Sequence, residues 1–203
     1  MAFNCRSKEM RPLATSNRGP GRVLLKTELR QWKPDRHAFM SLPRRPITVV
    51  LDGVSGHYNL GAIFRLCDGF LAERLVICGS KVDLRKRKLV LAAAGTHHWV
   101  PWDQAESCVA VVSAAKAAGA WVVVAEHTTT SRSPDKLLPA FPACLVLGSE
   151  KNGVSQEVVD LADEAVSIPM CGMANSLNVA TTAAILLHWL SVSQRPTGSA
   201  QPA

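Results

Sequence analysis

Long apolar runs are missing from this chain of 203 residues. A membrane-spanning helix needs about 20 mainly apolar residues in a row, and the apolar segment 109–125 is interrupted by Lys116. Residues 1–8 also lack the apolar core of a secretory signal. We therefore expect no membrane segment.

Paired cysteines are missing as well. The six cysteines are scattered along the chain, and no two of them form a C-x-x-C pair. This pattern supports neither a disulfide framework nor a zinc site. Five of the six histidines, at positions 57, 97, 98, 127 and 188, show no spacing suited to metal ligands. The sequence therefore predicts reduced thiols, a cytoplasmic location and no metal site.

Two common nucleotide-binding motifs are also absent. No G-x-G-x-x-G follows a predicted strand, so a nicotinamide or flavin site has no support. Residues 148–153 have the glycine spacing of a phosphate-binding loop, but Val154 stands where that motif requires lysine. The segment therefore lacks the side chain that would contact phosphate groups.

The positive charge is unevenly distributed. Residues 1–46 contain eleven Lys and Arg against three Asp and Glu, a net charge of +8, whereas residues 47–203 contain twelve against thirteen, or −1. A second basic cluster comprises Lys81 and residues 85–88. This asymmetry indicates a polyanionic partner; solvated surface charge is the alternative interpretation.

Strands and helices alternate from residue 47 onward. We predict strands at 47–52, 74–78, 99–102, 121–125, 144–147 and 165–168, and helices at 60–71, 84–94, 105–118, 155–162 and 176–190. Near-continuous apolar strands between helices predict an α/β fold, a parallel sheet covered by helices on both faces. The predicted organisation is a basic arm over 1–46 with a short helix at 22–33, a domain over 47–191 and a flexible tail over 192–203.

Three motifs carry polar residues where a strand gives way to a helix, which is where α/β proteins hold ligands. They are Asn59-Leu60-Gly61-Ala62-Ile63-Phe64-Arg65, then Gly148-Ser149-Glu150-Lys151-Asn152-Gly153, then Ile168-Pro169-Met170 followed by Ser176-Leu177-Asn178. In this order they resemble the SPOUT superfamily of RNA methyltransferases, and within it the TrmH (SpoU) branch. The resemblance covers about residues 47–190.

This resemblance implies a SPOUT fold with a C-terminal trefoil knot. It also implies methyl transfer from S-adenosylmethionine to a ribose 2′-hydroxyl of tRNA or rRNA, with tRNA favoured. The implied catalytic residues are Arg65, Asn59, Glu150, Ser176 and Asn178. The implied cofactor-binding residues are Glu126, Thr128, Leu147, Gly148, Ile168, Met170, Ser176 and Leu177. The basic residues expected to contact RNA are Arg22, Lys26, Arg30, Lys33, Arg85 and Arg87.

Each of these residues also has a simpler interpretation. Arg65 lies off the apolar stripe of its helix, and Gly61 and Gly69 flank it one turn away, which favours close approach of a substrate; a surface ion pair with Asp68 is the alternative. Asn59 is expected to cap the same helix. Glu150 could instead stabilise the amino end of the following helix.

The last helix, over residues 176–190, is apolar nearly all round. Such a helix needs cover on two sides, which a second subunit or the N-terminal arm would supply. A homodimer is the expectation. Trp32 in the arm is either a base-stacking or a packing residue. The rival functions are a catalytically idle RNA-binding module on the same scaffold and a SPOUT enzyme that methylates a base.

Overall fold

The computed structural model describes residues 22–31 and 33–193. Trp32, the first part of the predicted arm and most of the predicted tail lie outside the described residues. The described part of the chain divides into two units, with the boundary between Pro43 and Arg44. Among the described residues, no helix is long and apolar enough to span a membrane.

The first unit contains two short helices, α1 (Lys26–Gln31) and α2 (Arg36–Met40). Helix α1 confirms the helix predicted over 22–33, although it is shorter. Helix α2 lies in a part of the arm for which no helix was predicted. It forms there because Asp35 supplies the cap: its carboxylate accepts a hydrogen bond from the Ala38 N–H at 2.9 Å.

The second unit is built on six strands, all parallel. They are β1 (Arg45–Asp52), β2 (Ala72–Cys78), β3 (Trp102–Ala105), β4 (Trp121–Ala125), β5 (Ala143–Gly148) and β6 (Glu164–Val166). In the described part of the chain their order across the sheet is β3-β2-β1-β5-β4-β6. The predicted parallel sheet is confirmed.

Five helices accompany the sheet in the described unit. They are α3 (His57–Gly69), α4 (Arg87–Ala93), α5 (Cys108–Ala117), α6 (Gln156–Val159) and α7 (Val179–Ser193). Side chains of β1 alternate between two buried clusters: Val49 and Leu51 pack with residues of α3, α4 and α7, whereas Val50 packs with residues of α5 and α6. Because successive side chains of a strand point to opposite faces, the sheet is covered on both faces, as predicted.

The predicted strand at 99–102 was misplaced. Residues 96–98 form a short 3₁₀ turn, and β3 begins only at Trp102. The Thr96 hydroxyl donates to the Ala93 carbonyl at 2.7 Å, and the Trp99 indole N–H donates to the Asp68 carboxylate at 2.7 Å. These side chains hold the junction between α4 and β3, so pairing with β2 begins only at Pro101, whose carbonyl accepts from the Leu75 N–H at 3.0 Å.

The predicted bounds of α6 and α7 were also wrong. Helix α6 covers four residues, fewer than predicted. Helix α7 begins at Val179 because the Asn178 side chain caps it, accepting a hydrogen bond from the Ala180 N–H at 2.9 Å. It continues to Ser193, so residues 192 and 193 are helical and not part of a tail. Arg45 donates to the Ser191 carbonyl at 2.8 Å and so stabilises the last turn.

The order of the strands brings distant chain segments together at one edge. Strand β1 lies between β2 and β5, so successive strands are added on one side of β1 and then on the other. The carboxyl ends of β1, β5 and β4 therefore meet beside a topological switch point, where open α/β sheets bind ligands. The knot implied by the resemblance stays a prediction.

Candidate active site

A cavity of about 220 Å³ lies at the carboxyl ends of β4, β5 and β6. Seven of the eight residues predicted to bind a cofactor line it: Glu126, Leu147, Gly148, Ile168, Met170, Ser176 and Leu177. The eighth, Thr128, lines a separate groove of about 710 Å³ beside β6 and α6. Glu150, predicted to be catalytic, also lines the first cavity. The third and second motifs therefore share one site.

Residues 149–155, which we call the clamped loop, form one wall of this cavity. A Cβ atom on Gly148 would lie 2.0 Å from the carbonyl carbon of Gly153, so no larger residue fits there. Gly153 has a φ of +67°, and a Cβ atom on it would lie 2.3 Å from Glu126 Oε2. The two glycines are required because backbone, and not side chain, forms this part of the wall.

Two carboxylates hold the clamped loop through its backbone. Glu126 Oε2 accepts from the Val154 N–H at 2.8 Å, and Glu126 Oε1 accepts from the His127 N–H at 2.9 Å. Asp52, at the end of β1, accepts from the Ser155 N–H at 2.9 Å and from the Ser155 hydroxyl at 2.7 Å. Asp52 was not among the predicted site residues, although an acidic residue that ends an apolar strand is a signal visible in the sequence.

Asn59 connects the three motifs. The Asn59 side-chain amide donates to Glu150 Oε1, and the Asn178 amide donates to Asn59 Oδ1 at 3.1 Å. Asn59 and Glu150 are 91 residues apart in the chain, and Asn59 and Asn178 are 119 residues apart. The fold thus joins three of the predicted catalytic side chains in one hydrogen-bonded row beside the cavity.

Two simpler interpretations of these residues are wrong. Asn59 does not cap α3: the helix begins at His57, Gly56 precedes it, and Asn59 lies inside the first turn. The carboxylate at the amino end of α6 is Asp52, whereas Glu150 contacts Asn59. Both side chains are therefore available to the site.

Arg65 lies on α3 with its side chain exposed. It does not line the cavity, and no described residue forms a hydrogen bond or ion pair with it. The alternative partner, Asp68, accepts a hydrogen bond from the Trp99 indole at 2.7 Å. The guanidinium is thus left open to an external anion.

The interpretation of Gly61 as a gap for substrate is wrong. A Cβ atom on Gly61 would lie 2.4 Å from the Leu89 carbonyl oxygen and 2.8 Å from the Ala92 Cβ atom. Gly61 is therefore needed for the close packing of α3 against α4. Gly69 differs, because a Cβ atom there would meet nothing within 4 Å.

The basic residues expected to contact RNA are exposed, but two of them have acidic partners. Arg22 pairs with Glu28 at 2.5 Å, and Arg85 pairs with Asp83 at 3.0 Å. The Arg85 hydrogen bond lowers the pKa of Asp83 to about 2. No other described residue forms an ion pair with the remaining four, which are Lys26, Arg30, Lys33 and Arg87.

The opposite wall of the cavity comes from residues 167–178, which we call the exposed loop. The Nε2 atom of His127 lies 3.0 Å from the Asn175 carbonyl oxygen. This contact links the exposed loop to the residues that follow β4. Met173 at its tip is fully exposed. Ile168, Met170 and Leu177 supply apolar surface to the cavity from this side.

Sequence comparison identifies the family. The profile of the SpoU rRNA Methylase family matches residues 46–188, well over half of the chain. The protein belongs to this family. Its membership confirms the resemblance drawn from the three motifs, and the SpoU and TrmH structures it resembles share the SPOUT fold.

Individual relatives agree with this assignment. The tRNA (guanosine(18)-2′-O)-methyltransferase of Escherichia coli K12 is 32% identical over 161 residues, covering 76% of this chain and 69% of that protein. The TrmH/SpoU tRNA modifying enzyme of A. aeolicus superposes with a TM-score of 0.68 at 28% identity, covering 79% of this chain and 85% of that one. An AdoMet-bound rRNA methyltransferase of Sinorhizobium meliloti has a TM-score of 0.67 at 27% identity, with coverages of 79% and 61%.

Proposed function

We propose that this protein transfers a methyl group from S-adenosylmethionine to a ribose 2′-hydroxyl of RNA. The observation that carries the proposal is the hydrogen-bonded row of Asn59, Glu150 and Asn178 beside a cavity lined by the second and third motifs. The relatives named above act on tRNA and rRNA, and one is solved with AdoMet bound.

The lining of the cavity fits an adenosine-containing cofactor. A nucleoside site needs apolar walls and a few well-placed polar groups, and Leu147, Ile168, Met170 and Leu177 are apolar residues of the lining. Gly148 has no side chain to cover its backbone, which lies against Gly153. When bound, S-adenosylmethionine supplies an electrophilic methyl group.

Arg65 is proposed to act on the RNA. A guanidinium that must first lose its proton is a poor general base, because with a pKa above 12 the cost at neutral pH is on the order of 7 kcal/mol. Arg65 instead stabilises the developing alkoxide and contacts the neighbouring phosphate, while Glu150 or a water accepts the proton. Asn59 donates to Glu150 and Asn178 donates to Asn59, so these two amides are proposed to orient Glu150. Ser176 lines the cavity and is proposed to contact cofactor or ribose.

Substitution of Arg65 tests this proposal. Arg65→Ala should lower turnover at saturating RNA by about 10²-fold, the usual effect of removing one group that stabilises developing negative charge. Arg65→Lys keeps the charge but loses the planar guanidinium group, which can donate two parallel hydrogen bonds, and should give an intermediate rate. Arg74→Ala removes an exposed arginine that pairs with Asp103 and serves as the control. Near-normal turnover of Arg65→Ala would reject the assigned role.

RNA contacts are proposed for the basic arm and for the cluster at the start of α4. Lys26, Arg30 and Lys33 should contribute phosphate contacts, so changing all three to Ala should weaken RNA binding and flatten its salt dependence. Cofactor affinity should not change. RNA binding that is equal to wild type at every salt concentration would remove these residues from the proposed surface.

The target RNA is proposed to be a tRNA. The tRNA-modifying relatives from E. coli and A. aeolicus favour it, whereas the S. meliloti relative is an rRNA enzyme. Mass spectrometry of total-RNA nucleosides from cells with and without the gene identifies the modified nucleotide and its position. A methylated base in place of a methylated ribose would favour the base-methylating alternative, and unchanged nucleosides together with no cofactor binding would favour the idle RNA-binding module.

A homodimer paired through α7 is also proposed. Ile185 and Val192 of this helix are each 38% exposed, which leaves apolar surface for a second subunit. Sedimentation of wild type and of Ile185→Glu should show a dimer and a weakened dimer, respectively. The cytoplasmic location expected from the cysteine pattern stays a prediction, as does the division into arm, domain and tail.

A further inference from the structure

The cavity has an unbalanced charge. Glu126 and Glu150 both line it, and the described residues of its lining include no Lys or Arg. His127 also lines it, and its imidazole is engaged with the Asn175 carbonyl oxygen. Two carboxylates therefore face one small cavity without a cationic side chain to neutralise them.

Both carboxylates are held by neutral donors. Glu126 accepts from the backbone N–H groups of Val154 and His127, at 2.8 and 2.9 Å. Glu150 accepts from the side-chain amide of Asn59. Amide donors orient a carboxylate but do not cancel its charge, so the negative potential of the pair extends into the cavity.

The donor and the product of the proposed reaction differ in charge. S-adenosylmethionine carries a sulfonium, an ammonium and a carboxylate, and so has one net positive charge near neutral pH. When the methyl group has moved to the ribose oxygen and the hydroxyl proton has left, the sulfur is a neutral thioether and the product has no net charge. We infer, on the basis of the proposed function, that Glu126 and Glu150 select the cationic nucleoside and weaken the hold of the cavity on the neutral product.

The expected size of the effect follows from the exposure of the two groups. Glu126 is half-buried and Glu150 is exposed. A carboxylate in such a position should favour an opposite charge by up to about fivefold, and salt should weaken this preference. Glu126 and Glu150 would therefore favour release of the product, while an effect of this size leaves cofactor binding reversible.

Calorimetric titration of the full-length protein tests the inference without measuring activity. The ligands are S-adenosylmethionine, sinefungin, which carries an amine in place of the sulfonium, and S-adenosylhomocysteine. Glu126→Gln and Glu150→Gln should each lower affinity for the two cationic ligands by up to about fivefold more than affinity for S-adenosylhomocysteine, and only this difference measures the charge, because Glu126 also holds the clamped loop. Glu73→Gln makes the same chemical change on β2, outside the cavity, and should alter neither.

An equal loss of affinity for all three ligands would overturn the inference, because it would show that the carboxylates only hold the loop in shape. The wild-type protein provides a second test that needs no variant. The ratio of its affinities for sinefungin and S-adenosylhomocysteine should fall as salt rises from about 0.05 to about 0.5 M; a constant ratio would also overturn the inference. Failure of the wild type to bind any of the three ligands would reject the proposed cofactor instead.

Discussion

The two loops that enclose the cavity are held in very different ways. The clamped loop, residues 149–155, is tied by Glu126 and Asp52 and by its own Ser149–Gly153 hydrogen bond at 2.9 Å. In the exposed loop, residues 168–174 form no hydrogen bond with any described residue. Local opening costs little free energy where backbone groups have few partners. One wall of the cavity is therefore fixed, and the other is able to adjust to a ligand.

The largest contrast is between Gly148, which ends β5 and packs against the clamped loop, and Gly172 in the exposed loop. Gly148→Ala would place a methyl group 2.0 Å from the Gly153 backbone, whereas Gly172→Ala would meet nothing within 4 Å. Overpacking of this kind costs about 1–3 kcal/mol or forces the backbone to move. We expect Gly148→Ala to lose cofactor binding in calorimetry and Gly172→Ala to keep it. Comparable binding by the two variants would show that the loops do not differ in rigidity.

Removal of the Asp52 carboxylate should have the next largest effect. Asp52→Ala leaves the Ser155 N–H and hydroxyl without their acceptor, at a cost of about 1–3 kcal/mol in the free energy of unfolding. Urea denaturation of Asp52→Ala, Ser155→Ala and the double variant measures the coupling between the two residues. Strictly additive losses would contradict the proposed tie at the amino end of α6.

The hydrogen bond between His127, which follows β4, and the exposed loop should matter less. His127→Ala removes the hydrogen bond to the Asn175 carbonyl and should lower stability by about 1 kcal/mol or less. Hydrogen exchange should stay slow at Val154 and Ser155, whose N–H groups donate to Glu126 and Asp52. Faster exchange in the clamped loop of this variant would mean that the two walls move together.

The smallest expected effect is the dependence of stability on pH, and it arises away from both loops. His97 is 6% exposed, its Nδ1 has no hydrogen-bond partner among the described residues, and burial, helped by His98, lowers its pKa. The unfolded chain binds this proton first, so the contribution of His97 is complete above about pH 6.5 and is lost as the pH falls below that value.

Denaturant titrations of the wild type and of His97→Gln at about pH 7.5 and 5.5 measure this term. Stability of the wild type should fall more on acidification, by at most about 1.4 kcal/mol for each pH unit between the two pKa values. His57→Gln, at a half-buried position, should behave like the wild type. Equal slopes for wild type and His97→Gln would assign the pH dependence to other groups.

The sequence by itself determined the layers of the fold and the family. The apolar strands predicted a parallel sheet because residues such as Val49 and Val50 must both be buried, on opposite faces. The order of the three motifs was enough for the resemblance that the family profile confirmed. These signals are local, or depend only on order along the chain, so no tertiary contact is needed to detect them.

The tertiary structure alone decided which side chains meet. Asn59 contacts Glu150 because β1 and β5 are neighbours in the sheet, and hydrophobic periodicity does not specify strand order. For the same reason Asp52 was not predicted, because its partner Ser155 is 103 residues away. The role of Gly61 was predicted wrongly because its neighbour is the backbone of α4. Periodicity indicates which way a side chain points, whereas the packing of distant segments determines what it touches.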